Sequence, residues 1–231
     1  MRIIRFDTID STNLQARRLA ESGERGPLWI VSAEQTAGKG RLGRNWLSKP
    51  GNFYGTLLWP TKAAQTALSQ ISFVAAVAAS QTASEFVDPK RISLKWPNDC
   101  LLDGAKLCGI LCEGLAPDLL AIGIGINIAH APEELRYKAA RLEAANVELV
   151  FEQLALNLSK NLDIWNAGAG FENVREDWIA RCPHIGKPLK VEGDAGVFEG
   201  LGADGALLLR RTNGVLKHIY AGDVRVEYQR S

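Results

Sequence analysis

The chain has little of what several common chemistries require. Three histidines occur in 231 residues, His130, His184 and His218; they lie far apart, and no GxSxG turn supplies a nucleophile for them to activate. Four cysteines, Cys100, Cys108, Cys112 and Cys182, include no CxxC pair and have no companion histidines at zinc-finger spacing. They read as reduced apolar fillers rather than metal ligands. Long hydrophobic runs are also missing. The most membrane-like stretch, ALSQISFVAAVAASQTASEFV, is interrupted by Ser69, Gln70, Ser80, Gln81 and Glu85 and is alanine-rich, which reads as a buried helix and argues against a membrane partner. The start, MRIIRFDTIDSTN, carries Arg2, Arg5, Asp7 and Asp10 inside its first apolar run. That excludes a signal-peptide core and an acid-poor transit peptide, and the expected location is cytoplasmic. A formal net charge of +1 excludes a general nucleic-acid coat, so any anion binding must be local. One local bias points to where: no aspartate or glutamate occurs between Glu34 and Glu85.

The length allows one or two domains. RIIRF reads as a strand, and DSTNLQARRLAES as a helix opened by a polar cap, with Leu14, Arg18 and Leu19 at helical spacing. GPLWIVSAEQ is a second strand and FYGTLLWP a third. Residues from Gln65 to Val87 form the alanine-rich helix, whose small side chains suit close packing on a sheet. RISLKWPNDCLL, the turn at Asp103 and Gly104, KLCGILCEGL and LLAIGIGINIA read as a hairpin and a neighbouring strand, because Asp-Gly between apolar runs is a strong hairpin signal. Residues 148–181 return to helix, with Leu149, Leu154, Leu158, Leu162 and Trp165 near one-face spacing. From Lys187 onward, short apolar runs are punctuated by Gly-Asp, Asp-Gly and Asn-Gly, the texture of about five short strands in a small barrel. A boundary near residues 182–187 follows, where Cys182, Pro183 and Gly186 fall.

The acid-free region contains EQTAGKGRLGRNWLSKPGN, residues 34–52, a glycine-rich cationic ribbon. Gly38, Gly40 and Gly43 satisfy GxGxxG directly after an expected strand, but the dinucleotide reading fails on context. Such a turn opens a helix and is followed by an acidic residue about 20 positions on. Here Pro50, Gly51 and Asn52 oppose a helix and the acid is missing. No Gly-Lys is followed by Ser or Thr, which removes the P-loop as well. What remains is Lys39, Arg41, Arg44 and Lys49 beside glycines that let backbone N–H groups approach an anion, against the plainer alternative of a solvated basic loop. In KWPNDCLLDGAKLCGIL, Lys95, Asn98, Asp99 and Lys106 are set around an apolar hairpin, and Pro97 disfavours helix and holds Trp96 extended. Asp99 is placed at a strand end, as a site acid or as an Asx-turn residue that only shapes the backbone.

DSTN, AEQTAGKGRLGRNW, KWPNDCLLDGAKLCGIL and IGIGINI, in this order and at these separations, resemble the biotin protein ligases, or biotin holocarboxylase synthetases, across essentially the whole chain. The resemblance implies an α+β fold: a mixed sheet packed with helices of the class II aminoacyl-tRNA synthetase-like biotin/lipoate ligase type, with a small C-terminal SH3-like β-barrel. The catalytic biotin- and ATP-binding domain would span 1–184 and the barrel 185–231. It implies an enzyme that joins biotin to the α-phosphate of ATP, with Mg2+, and transfers the biotinyl group from biotinyl-5'-AMP to one lysine of a biotin carboxyl carrier protein.

By similarity, Ser11, Thr12, Asn13 and Gln35 hydrogen-bond the ureido ring, with Ser11 and Thr12 also candidates for helix caps. Lys39, Gly40 and Arg41 close over biotin and the adenylate, with Arg41 toward the carboxylate and α-phosphate. Lys106 reaches the same group from the opposite wall, and Gly109 permits close backbone approach. Arg44, Lys95 and Asn98 fall to the nucleotide, Trp46 and Asn127 to its adenine side, and Asp99 positions or deprotonates the carrier lysine. No side-chain metal ligand is assigned. Two departures are visible: the family's loop usually reads GRGRxGR, whereas position 39 is lysine, a point charge in place of a planar fork; and STN starts at residue 11, so no DNA-binding repressor domain or nucleic-acid partner is expected. A lipoate or octanoate enzyme of the same superfamily, and a nucleic-acid-binding module of another class, are the alternatives. Monomer and homodimer both stay open, as do the carrier modified and the work of the barrel.

Overall fold

A computed structural model describes residues 1–63, 65–132, 138–143 and 145–226. Seven strands build the main sheet: β1 (Arg2–Ile9), β2 (Leu28–Gln35), β3 (Phe53–Pro60), β4 (Ile92–Lys95), β5 (Asp99–Leu102), β6 (Ala105–Ala116) and β7 (Leu119–Ile126). Their order is β1-β2-β3-β7-β6-β5-β4. Only β1 and β2 run parallel, and the connection they need is the helix α1 (Thr12–Glu21). The stretch RISLKWPNDCLL is two strands rather than one run, folded back at residues 96–98 so that Lys95 faces Asp99. Asp103 and Gly104, both at positive φ (51° and 75°), make the tight turn from β5 to β6 that their sequence demands.

Strand alternation sorts side chains onto two different faces. In β7, Leu120, Ile122, Ile124 and Ile126 face a large apolar core shared with α2 (Ile71–Ser84), α3 (Val147–Trp165) and α4 (Phe171–Ala180). The intervening Leu119 and Ala121 join Leu28, Ile30, Leu58 and Ala16 in a smaller core beneath α1. At the start of α1, that second face continues as Gly123 and Gly125, with Gly109 opposite Gly125 on β6. Losing the side chains there leaves a trough on an otherwise covered sheet.

The alanine-rich segment is the buried helix expected, with eleven of its residues from Ile71 to Ala83 buried, although its first turns, Gln65–Gln70, are 3-10 in form. Among the described residues no helix is long and apolar enough to cross a membrane. The single helical stretch expected over 148–181 is broken: α3 ends at Asn166 and Ala167, both left-handed (φ 44° and 53°), and a Cβ at Gly170 would lie 1.8 Å from the Ile164 carbonyl oxygen. Asn-Ala-Gly-Ala-Gly supplies residues that tolerate this conformation. Leu154, Leu158, Leu162 and Trp165 are buried as their spacing implies, but Leu149 is exposed in the first turn of α3, where Asn146 caps the helix by accepting from the N–H groups of Glu148 and Leu149. The four cysteines are free, and burial pushes the Cys100, Cys112 and Cys182 thiols up to about 12, 12 and 11, as inert fillers.

Residues after Lys187 form β8 (Pro188–Val191), β9 (Asp194–Leu201), β10 (Leu207–Arg210), β11 (Leu216–Ile219) and β12 (Val224–Val226). They make an antiparallel sheet in the order β11-β10-β9-β8-β12. Among the described residues β11 and β12 do not pair, so the expected barrel is an unclosed, SH3-like sheet. Its apolar face, including Leu189, Phe198 and Leu207, is continuous with the main core. Arg175 donates to the Leu201 carbonyl at 2.9 Å, and a Cβ on Gly205 would lie 2.8 Å from the Phe73 ring.

Candidate active site

The trough opens into a cleft of about 790 Å³. Around it the fold gathers Ser11, Thr12, Asn13, Gln35, Lys39, Gly40, Arg41, Arg44, Trp46, Lys95, Asn98, Asp99, Lys106 and Gly109, every residue assigned by similarity except Asn127; the ribbon's Lys49 lies outside it. Asn127 lines an adjoining cavity of about 840 Å³ that shares Gln35, Trp46 and Lys106 with the first.

One wall is the start of α1. Arg18 grips Asp10 with two hydrogen bonds of 2.7 and 2.8 Å and, with the Ser11 N–H, holds its carboxyl down at about 2. This fixes the turn into the helix. Ser11 is the cap residue by position, yet its side chain makes no cap hydrogen bond although it is buried. Thr12 is tied to β2, its N–H donating to Gln35 Oε1 at 2.8 Å. Asn13 is held by two strands, β6 and β3: Nδ2 donates to the Leu111 carbonyl at 3.2 Å and to Glu113 Oε2 at 2.7 Å, and Oδ1 lies 2.6 Å from Thr56 Oγ1. A Cβ at Gly123 would come within 2.1 Å of that oxygen. Asn13 therefore organises the wall rather than offering a free amide to a ligand.

The opposite wall is the ribbon, folded back on itself. Bridges pair Gln35 with Ser48 and Lys39 with Asn45, and the Gly40 N–H donates to the Arg44 carbonyl at 2.7 Å. Its tip carries Leu42 in the left-handed region (φ 56°) and 76% exposed, the conformation expected where GRLGR turns sharply. Trp46 leaves the ribbon to lie across the trough. Cβ atoms at Gly109 and Gly125 would meet its ring at 2.7 and 2.6 Å, so only glycine admits it. Its buried Nε1–H has no acceptor among the described residues, which costs about 1–3 kcal/mol and favours a ligand that supplies one.

The charges are arranged unevenly. Lys106 Nζ lies 2.6 Å from Asp99 Oδ1 and 5.5 Å from the Trp46 ring. That oxygen is buried and makes no hydrogen bond of ordinary geometry, so the pair is a charge contact. Arg41 is desolvated, which lowers its pKa, and it donates to Asn98 Oδ1 at 3.2 Å while Asn98 Nδ2 donates to the Ile110 carbonyl at 2.6 Å. Among the described residues it forms no ion pair, although Asp223 and Asp99 contribute a weaker attraction. Arg44 instead makes two hydrogen bonds of 2.7 and 2.8 Å with Asp223 of the C-terminal sheet, which also lines the cleft. In the second cavity Asn127 Nδ2 donates to the Ala140 carbonyl at 3.0 Å, tying residues 138–142 against the start of β6.

Sequence reasoning did not single out Thr56, Glu113, Ser48 or Asp223. Thr56 and Glu113 sit in runs that read as ordinary strand, and Asp223 is 179 positions from its partner. Gly123 and Gly125 carried a signal, a regular glycine alternation in IGIGINI, that was read only as part of a motif.

The Biotin/lipoate A/B protein ligase family model matches residues 5–128, more than half of the chain, and that of the Biotin protein ligase C terminal domain matches residues 184–226. The chain belongs to the biotin protein ligase family. Its ligase relatives include the biotin--[acetyl-CoA-carboxylase] ligase of Paracoccus denitrificans, 38% identical over 87% of this chain and 91% of that one. The bifunctional ligase/repressor BirA of Bacillus subtilis is 32% identical over 97% of this chain and 74% of its own length. Among solved ligase structures, the biotin protein ligase from Aquifex aeolicus in complex with biotin and ATP superposes with a TM-score of 0.84 at 28% identity, covering 98% and 99% of the two chains.

Proposed function

We propose that this cleft ligates biotin to a lysine of a biotin carboxyl carrier protein, using ATP and passing through biotinyl-5'-AMP. The observation that carries the reading is Arg41: a desolvated guanidinium with a neutral amide as its hydrogen-bond acceptor and no ion pair among the described residues. Such a cation lacks the anion its burial calls for. Lys106 lies in the same cleft, and a carboxylate meeting a phosphate there would find cations on both sides.

In the first half-reaction the biotin carboxylate attacks the α-phosphate and pyrophosphate leaves. Both reactants are anionic, so fixed positive charge lowers the barrier by offsetting their repulsion and the charge that builds on the transferring group. Arg41 and Lys106 take that role, with Lys39, Arg44 and Lys95 supporting the polyphosphate and Trp46 and Asn127 the adenine side. Among the described residues no three His, Cys, Asp or Glu side chains converge as a metal cage. Mg2+ bound with the nucleotide would neutralise phosphate charge there. In the second half-reaction the carrier's lysine amine attacks the acyl carbonyl, AMP departs, and Asp99, which lines the cleft beside Lys106, positions the amine and takes its proton. No covalent enzyme intermediate is needed, which suits a site without an activated serine or cysteine. Substrates of this kind and four reduced cysteines favour the cytoplasm.

Incubation with biotin, MgATP and an apo carrier domain is expected to yield biotinylated carrier, with biotin-dependent ATP–pyrophosphate exchange in its absence. No product at high enzyme concentration would sink the proposal. Preference for lipoate over biotin in the exchange reaction would move it to the related acyl ligases.

A further inference from the structure

A buried polar chain behind the α1 wall fixes which way one cleft hydroxyl points. Thr56 Oγ1 is fully buried and does not line the cleft; it lies 2.6 Å from Asn13 Oδ1 and 2.8 Å from Thr12 Oγ1. A hydroxyl carries one proton, so these two contacts cannot both be donated by Thr56. Asn13 decides between them. Its Nδ2 faces two groups that only accept, the Leu111 carbonyl and the Glu113 carboxylate, which fixes the amide with Oδ1 toward Thr56. An amide oxygen cannot donate. Thr56 must therefore give its proton to Asn13 and receive one from Thr12 in the 2.8 Å contact. Gln35 Oε1, 3.1 Å from the same Thr12 oxygen, is likewise an acceptor, so both protein neighbours draw the Thr12 proton away from the cleft.

Resting on the ligase reading, we infer that Thr56, oriented through Asn13 by Glu113, is a positioning residue that makes Thr12 an obligate hydrogen-bond acceptor toward the ligand. The wall is thereby matched to a cyclic urea, which presents N–H donors, and mismatched to a ring oxygen or sulfur at the same place. Glu113, outside the cleft and beside Arg17 at 3.5 Å, sets the direction of the whole chain because a carboxylate cannot donate.

The test is ATP–pyrophosphate exchange with two probes: biotin, and its oxazolidinone analogue in which one ring N–H is replaced by oxygen. In Thr56→Val the Thr12 proton loses its nearest acceptor and is held off the cleft only by the longer 3.1 Å contact to Gln35 Oε1, so a part of the population turns it toward the ligand. The biotin KM is expected to rise roughly tenfold, the worth of one hydrogen bond, with the ATP KM unchanged. The penalty against the analogue should shrink by a similar factor, and Thr56→Ser should restore both values. Glu113→Ala, a change at the outer end of the chain, should shift the same two quantities in the same direction by less. Unchanged discrimination in both Thr56→Val and Glu113→Ala overturns the inference, as does an equal rise in the ATP KM, which marks a merely structural role. Absence of biotin-dependent exchange in the unmutated chain instead overturns the ligase reading, and the inference with it.

Discussion

The cleft has two walls built on opposite principles. The α1 wall is fixed: Ser11, Thr12 and Asn13 are all at most 6% exposed, and the polar groups of Thr12 and Asn13 are held by strands β2, β3 and β6. The ribbon wall is held by few contacts: Leu42, Leu47 and Arg44 are exposed, and one of its main anchors, Arg44 to Asp223, joins two half-exposed side chains. A neutral ring can be recognised by preset donors and acceptors at no reorganisation cost. An anion formed and consumed within the cycle needs cations that can close and open, and glycines in a ribbon permit that. Even the glycines differ in kind. Gly109, Gly123 and Gly125 of the sheet are there for space, whereas Gly43 of the ribbon has open space around it and a φ of +71°.

The contrast can be broken in order of expected effect. Lys106→Ala, removing the cation on the sheet side, is expected to slow biotin-dependent pyrophosphate exchange by about 10²–10³-fold. A loss below tenfold would shift the burden to the ribbon. Gly123→Val should cost roughly 1–3 kcal/mol or more by forcing Asn13 aside, lowering the thermal midpoint and biotin affinity together, while Gly43→Ala should cost about 1 kcal/mol of backbone strain and leave biotin binding intact. Equal effects on biotin binding would erase the distinction between the walls. Arg41→Gly should still make biotinyl-AMP but release it, so that lysines of bystander proteins become labelled and the dissociation rate rises by roughly tenfold or more, about 1.4 kcal/mol per decade. Unaltered retention would remove Arg41 from the closing role. Smallest is Asp223→Asn: a half-exposed ion pair contributes under about 1 kcal/mol, so the melting temperature should move by no more than about 4 °C. A larger drop would mean that the C-terminal sheet anchors the ribbon more firmly than its exposure suggests.

The ribbon, the Asp-Gly hairpin, the strand FYGTLLWP and the buried alanine-rich helix were legible because each is written in local chemistry: turn residues, alternation, small-residue packing. Nearly all the cleft residues were legible too, but by resemblance: the order and spacing of DSTN, the ribbon and KWPND are similar to those of the ligase family. The break after Trp165 was not, because apolar spacing continued through Asn-Ala-Gly-Ala-Gly and masked the left-handed residues. Leu149 illustrates the same limit; spacing marks a face, but the first turn of a helix can overhang its core.

The amino-acid order by itself determined a glycine-rich, cationic, acid-free segment after the second strand, because residue type and turn chemistry are local properties; its meeting with DSTN and KWPND came from the family resemblance. Only the tertiary structure decided that Asn13 is tied to Leu111, Glu113 and Thr56, that Trp46 lies across two glycines, and that Thr56 and Glu113 stand in line behind the Thr12 hydroxyl. Hydrogen-bond direction depends on which acceptors three strands and a helix bring within hydrogen-bond reach of one another, and no single segment carries that information.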